Sequence, residues 1–249
     1  MSEQKVILRI KRQDYPSAAS RWEEFEIDYR KNLNVIICLN DIRKHPVTRS
    51  GQTVAPPVWE CACLEQVCGS CSMMINGKAR QACSALIDQL EQPIVLEPLA
   101  KFPVVRDLVV NRDVMFESLK KVRAWVQLDG TWHLGPGPRW DERERFAAYD
   151  FSRCMTCGVC LAVCPQVNGR SQFIGASAIG QVRLFNSHPL GRLQVEERLD
   201  ALMGEGGIAE CGNAQNCVEA CPKKIPLADA IGEVNRQMSR HLVKKLLAR

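Results

Sequence analysis

The chain has 249 residues, of which 46% are hydrophobic and 24% charged, with a formal net charge of +5. That suits one or two domains with real cores, and the positive excess is too small and too dispersed to point to nucleic acid. No stretch approaches the roughly 18 apolar residues of a membrane span. Thirteen cysteines in a secreted chain would mean disulfides, but residues 1–12 alternate like a strand and carry no signal-peptide apolar region, so a reducing compartment and free thiolates are expected.

Residues 5–11 (Val6, Leu8, Ile10) and 22–29 (Trp22, Phe25, Ile27, Tyr29) alternate in polarity around a turn at Asp14 to Ser17, which predicts a β-hairpin. Asn34 to Leu39 is a short apolar run that fits a strand or the start of a buried helix. Cys38 lies within it and reads as a small buried hydrophobe.

Then come Cys61, Cys63, Cys68 and Cys71, with Cys83 further on. From Cys63 the spacing is C-x4-C-x2-C with a fourth cysteine after eleven intervening residues, the plant-type pattern of a [2Fe–2S] cluster. Gly69 and Ser70 are small enough for the loop to close over the cluster and turn N–H groups toward its sulfurs, which tunes potential. A zinc site built on C-x2-C is the competing reading, but zinc rarely needs such a loop. Cys61 offers an alternative to Cys63; the register with Cys68 and Cys71 favours Cys63, leaving Cys61 a spectator. Met73 to Lys78 reads as a strand entering an Asn76-Gly77 turn that returns the chain to Cys83. Ile94 to Pro98 reads as the last strand of a first domain, 1–105.

The second domain, 106–249, reads as helical. Val109 to Leu128 carries Met115, Leu119, Val122 and Val126 on one face, with Asn111 or Asp113 as cap. Gly135 to Pro138 interrupts regular structure, and the charged run Asp141 to Arg145 reads as a solvated face. Val182 to Phe185 and Val195 to Met203 read as short helices around His188 to Gly191, with a break at Gly204 to Gly207. Leu227 to Arg249 is an amphipathic helix with Leu227, Ile231, Val234, Met238 and Leu242 on one face and Arg236, Arg240, Lys244 and Lys245 on the other; that basic face also suits a partner subunit or lipid headgroups.

Two cysteine runs dominate this half. Cys154, Cys157, Cys160, Cys164-Pro165 follows C-x2-C-x2-C-x3-C-P. Cys211, Ala214, Cys217, Cys221-Pro222 repeats the template with alanine in the second slot. In the bacterial ferredoxin pattern the first three cysteines hold one cubane and the fourth reaches the other cluster. Cys154, Cys157, Cys160 and Cys221 thus close a [4Fe–4S] cluster. Cys164, Cys211 and Cys217 remain, and three thiolates with Ala214 in place of a fourth favour a [3Fe–4S] cluster. No residue is required as a general acid, base or nucleophile. His45, His133, His188 and His241 are scattered and read as surface or loop residues, and no phosphate-binding glycine motif predicts a nucleotide site.

The order of these motifs, with Trp59 to Cys63, Cys68 to Cys71, Arg80 to Cys83 and Cys154 to Cys160, resembles the iron–sulfur subunits of succinate dehydrogenase and fumarate reductase over essentially the whole chain. Phe173 to Ala176 and Phe185 to Gly191 resemble bacterial members that work with menaquinone and a dihaem cytochrome b. The resemblance implies an α+β chain, a β-grasp [2Fe–2S] ferredoxin domain followed by an α-helical ferredoxin domain. It implies electron relay between FAD in a flavoprotein subunit and haem b and menaquinone in a membrane-anchor subunit, with the chain peripheral on the cytoplasmic side of the inner membrane. The cluster on Cys63, Cys68, Cys71 and Cys83 would be nearest the flavin, and that on Cys164, Cys211 and Cys217 nearest the membrane. Where ubiquinone-reducing relatives place a tryptophan and a histidine of the quinone pocket, this chain has Gly169 and Gly212, so no quinone site is carried over. Two other classes compete: a free multi-cluster ferredoxin, and a dehydratase using the open corner of the three-cysteine cluster as a Lewis acid.

Overall fold

The computed structural model describes residues 4–127 and 139–248. His133 and the Gly135 to Pro138 break lie outside the described residues, as does Leu128 at the end of the helix expected from Val109. The chain divides into two compact units, residues 1–112 with 155–162, and residues 113–154 with 163–249.

The first unit is built on a mixed sheet. β1 (Lys5–Arg12) pairs antiparallel with β2 (Arg21–Asp28), as the alternation predicts, with Leu8 opposite Phe25. The asparagine-glycine turn joins β3 (Ser72–Ile75) to β4 (Lys78–Gln81), and Asn76 and Gly77 both have positive φ. β5 (Ile94–Glu97) completes the order β2-β1-β5-β3-β4, running parallel to β1. The ambiguous run after Asn34 is helical, α1 (Val35–Lys44), because the Asn34 side chain accepts from the Ile37 amide and Val35, Ile36, Leu39 and Ile42 return at helical spacing to a buried face. That face packs with Val6, Leu8, Ile10, Phe25, Ile94 and Leu96 in one core. A five-stranded mixed sheet with one packed helix is the β-grasp arrangement.

The boundary expected near residue 105 falls inside a further strand pair, β6 (Val104–Arg106) with β7 (Val109–Val110). Val109 therefore belongs to a strand and not to the helix expected there; two adjacent β-branched residues suit a ladder better than a helical turn. The helix α2 runs only from Asp113 to Lys121 and gives way at Arg123, whose φ is +48.

Between β6 and β7 sits Asp107, fully buried with Arg12. Arg12 Nε donates to Asp107 Oδ1 at 3.0 Å, its Nη1 to Glu23, and its Nη2 to the Ala55 carbonyl at 2.9 Å. The amides of Gln13 and Val58 donate to the two Asp107 oxygens, each at 3.0 Å. This ion pair fastens the segment that leads to Cys63.

The second unit is helical: α3 (Glu142–Ser152), α5 (Ala176–Ser187), α6 (Val195–Met203) and α8 (Leu227–Leu247), with α5 packed on α3 and α8. A short helix of this unit, α7 (Asn216–Glu219), carries Cys217; another, α4 (Val159–Val163), carries Cys160 and lies almost wholly in the first unit. The charged run from Asp141 is the start of α3: the Asp141 carboxylate caps it through the Arg143 and Glu144 amides. Phe173, Ile179, Val182, Leu199, Leu202 and Val234 form the core. On α8 the apolar stripe holds through Val234, but Leu242 is 45% exposed while His241 is buried. His241 Nε2 lies 2.8 Å from Asp200 Oδ1 on α6, and Lys244 and Lys245 pair with Glu196 and Asp200. His241 is thus interior, not a surface residue, because a carboxylate on α6 meets it. No helix among the described residues is long and apolar enough to cross a membrane.

Arg198 is the second unit's buried cation. It donates to the carbonyls of Arg123 (2.9 Å), Trp125 (2.8 Å) and Gly191 (2.6 Å). Arg198→Lys keeps the charge but cannot span three carbonyls with one ammonium. It should lower unfolding stability by about 2 kcal/mol, since unmet buried acceptors cost about 1–3 kcal/mol; an unchanged denaturation midpoint would contradict the role.

Candidate metal centres

The loop carrying Cys63, Cys68 and Cys71 is wound by left-handed residues: Leu64 (φ +60), Gln66 (φ +56) and Gly69 (φ +75). Alternating hands turn successive amides inward. The amides of Glu65, Val67 and Cys68 donate to Cys63 Sγ at 3.4, 3.3 and 3.3 Å, and that of Ser70 to Cys68 Sγ at 3.5 Å. Donors aimed at sulfur favour the thiolate. The Cys68 thiol is accordingly lowered to about 6, chiefly by the Ser70 hydroxyl and then by backbone amides. Cys71 is buried, and burial above all pushes it up to about 11. The amides thus favour negative charge on Cys63 and Cys68, as on cluster ligands, while burial opposes it at Cys71. Cys61 is exposed, and Cys38 is fully buried with its thiol pushed up to about 12, mainly by burial.

Cys83 arrives in a short 3-10 turn, Ala82–Ser84, just after β4. The Ala82 amide donates to the Cys71 carbonyl at 3.1 Å. Asn34 Nδ2 donates to the Cys83 carbonyl at 3.1 Å while its Oδ1 caps α1. A polar chain braces the loop from beneath: Ser72 Oγ donates to the Gly69 carbonyl (2.8 Å), Gln81 Nε2 to Ser72 Oγ (3.1 Å) and Gln66 Nε2 to Gln81 Oε1 (3.3 Å). Sequence reasoning missed Asn34, Ser72 and Gln81. A polar residue in a strand that should be buried, such as Gln81, was the available signal.

Gly69 also has no room for a side chain. A Cβ there would stand 2.6 Å from Cys157 Cβ and 2.8 Å from Cys157 Cα, so the segment bearing Cys157 lies directly against the first loop within the first unit. Thr156 (φ +52) and Gly158 (φ +82) turn that segment, and Gly158 fits against Leu99 and Phe102. Of the four cysteines matched by spacing to the cubane, Cys157 and Cys160 belong to the first unit and Cys154 and Cys221 to the second. Cys221 Sγ accepts from the Ile225 amide at 3.5 Å.

In the second unit, Cys164, Cys211 and Cys217 line one pocket together with Ala214, Gly212, Gln166, Phe173 and Ile231. The Cys217 thiol is raised, first by burial and then by the neighbouring Cys164 and Cys211. Asn213 (φ +51) and Gln215 (φ +60) wrap the backbone around the pocket. Three thiols converge, and the fourth template position presents a methyl group. Gly212 lines the same pocket, and a Cβ there would meet Gln166 Nε2 at 2.6 Å. Among the described residues, no three His, Cys, Asp or Glu side chains are placed to share a single metal ion; a polynuclear cluster spreads its ligands over several irons.

Comparison with known proteins matches both cysteine-bearing stretches to iron–sulfur domains. Residues 7–117 match the model of a 2Fe-2S iron-sulfur cluster binding domain, and residues 150–225 that of a 4Fe-4S dicluster domain. The chain is 59% identical to the succinate dehydrogenase iron-sulfur subunit of Bacillus subtilis over 95% of this chain and 94% of that one. It is 27% identical to the fumarate reductase iron-sulfur subunit of Wolinella succinogenes over 94% of this chain and 97% of that one. Among solved structures it shares the fold of a chain in the Mycobacterium smegmatis Sdh1 complex in the apo form, with a TM-score of 0.80, 22% identity and coverage of 96% and 97%.

Proposed function

The chain belongs to the iron–sulfur subunits of succinate dehydrogenase and fumarate reductase, and from that premise we propose that it relays single electrons between FAD in a flavoprotein subunit and haem b and menaquinone in a membrane-anchor subunit, held peripherally on the cytoplasmic face of the membrane. It is an electron-transfer subunit of an oxidoreductase complex. Bound clusters supply one-electron steps, which divide the electron pair that a flavin handles together.

The chain's own residues set where those steps occur. Cys63, Cys68, Cys71 and Cys83 hold the [2Fe–2S] cluster, with the inward amides and the Ser70 hydroxyl stabilising charge on the sulfurs. Cys154, Cys157, Cys160 and Cys221 hold the [4Fe–4S] cluster. Cys164, Cys211 and Cys217 hold the [3Fe–4S] cluster, and Ala214 withholds a fourth sulfur. Sulfur hydrogen bonds, cluster type and burial separate the potentials.

One observation supports this reading most: the Cys164, Cys211 and Cys217 pocket contains Ala214 where the template calls for cysteine. The assembled complex should show an oxidised [3Fe–4S] signal in EPR. Ala214→Cys should diminish that signal and raise the iron content by one atom per chain; a variant still holding three irons at full signal would show that pocket shape, not ligand number, sets the cluster.

A further inference from the structure

We propose that Arg112 and Glu60 form an opposed charge pair that sets the reduction potential of the first cluster, with Arg112 also positioning its loop. This rests on the reading that Cys63, Cys68, Cys71 and Cys83 bind [2Fe–2S].

Arg112 lies outside every cysteine motif. Its Nη2 donates to the Ser70 carbonyl at 2.6 Å, and its side chain is 17% exposed. Its Nε is buried and has no partner among the described residues. The nearest counter-charge is Glu60 Oε2 at 3.7 Å, on a side chain 47% exposed. The cation is therefore partly withdrawn from water, while its counter-charge is half in solvent and more weakly felt.

Ser70 is the residue whose amide donates to Cys68 Sγ at 3.5 Å. Its carbonyl shares a peptide group with the Cys71 amide. A guanidinium on that carbonyl polarises the peptide and strengthens the N–H of Cys71 as a donor. It also holds the Ser70 backbone, whose amide donates to Cys68 Sγ. Reduction adds one negative charge to the cluster, and a nearby cation favours the reduced form while a nearby carboxylate opposes it. Arg112 should raise the potential and Glu60 lower it.

The test is a potentiometric EPR titration of the intact complex, with the other clusters as internal references. In Arg112→Gln the [2Fe–2S] midpoint should move negative by about a tenfold change in the reduction equilibrium, about 59 mV for a one-electron couple. In Glu60→Gln it should move positive. Arg112→Lys, which keeps the charge and loses the planar fork, should stay near the wild-type potential while its signal broadens. If Arg112→Gln fails to load, the Glu60→Gln sign and the Arg112→Lys midpoint decide. The proposal is overturned if Glu60→Gln leaves the midpoint unmoved or moves it negative, or if Arg112→Lys shifts as far negative as loss of the charge would. Absence of a [2Fe–2S] signal in the unmodified complex would instead overturn the ligand assignment.

Discussion

Gly69→Ala should cut electron flow through the complex more than tenfold while leaving flavin chemistry intact. Two penalties fall on the one methyl group. A left-handed φ costs a non-glycine residue about 1–2 kcal/mol. The added carbon would also stand 2.6 Å from Cys157 Cβ, which no rotamer change relieves, because Cβ has no torsion of its own. The loop bearing Cys68 and Cys71 and the segment bearing Cys157 must then move apart, and electron tunnelling weakens steeply with separation. Turnover with an acceptor that takes electrons at the flavoprotein should be unchanged, and turnover with quinone should fall. The magnetic interaction between the first two clusters in EPR should weaken in parallel. Gly77→Ala is the matched control: Gly77 has φ +74 with nothing within 4 Å of a built Cβ, so it carries the strain without the collision and should leave the relay alone. Equal losses in the two variants would show that backbone strain, not spacing, is responsible.

The second large effect concerns the buried ion pair of the first unit. Arg12→Met strips the cation from Asp107, whose side chain is wholly buried. Removing one partner of a buried pair costs about 3–5 kcal/mol, because the remaining charge has no compensation. The Gln13 and Val58 amides still reach Asp107, but hydrogen bonds alone do not neutralise it. Adding Asp107→Asn to Arg12→Met should recover part of the loss, since asparagine removes the uncompensated charge, tolerates the left-handed φ of +47 at this position and keeps one oxygen for one of the two amides. Thermal unfolding of the purified complex measures both. The single variant should also lose [2Fe–2S] iron faster, because Val58 anchors the approach to Cys63. Additive rather than compensating losses would argue against the pair.

Much of this molecule was legible in its sequence because its strongest signals are local. Alternation exposed β1 and β2, the asparagine-glycine pair marked the β3–β4 turn, and cysteine spacing marked the two iron–sulfur domains. The amphipathic α8 and the short α6 were also readable. What escaped reading depended on tertiary context. Asn34 decides between strand and helix only once its side chain is seen to cap α1 and hold Cys83. Val109 pairs with Arg106 across a turn, and periodicity alone mistook it for a helix start. His241 is interior because Asp200 comes from another helix, a meeting no window along the chain reveals. The bracing of the first loop by Ser72, Gln81 and Arg112 is likewise a property of the folded sheet.

The placement of residues 155–162 within the first unit has a consequence for biosynthesis. Growing from its N-terminus, the nascent chain presents Cys63, Cys68, Cys71 and Cys83 early, yet the wall on which Gly69 rests, and the glycine that seals Leu99 and Phe102, emerge only with Cys157 and Gly158. At about 5–20 residues per second, the stretch from Arg112 to Ala162 takes the ribosome about 3–10 s. During that interval the newborn first unit lacks the residues that close over Gly69, Leu99 and Phe102, and completes its packing only after they emerge.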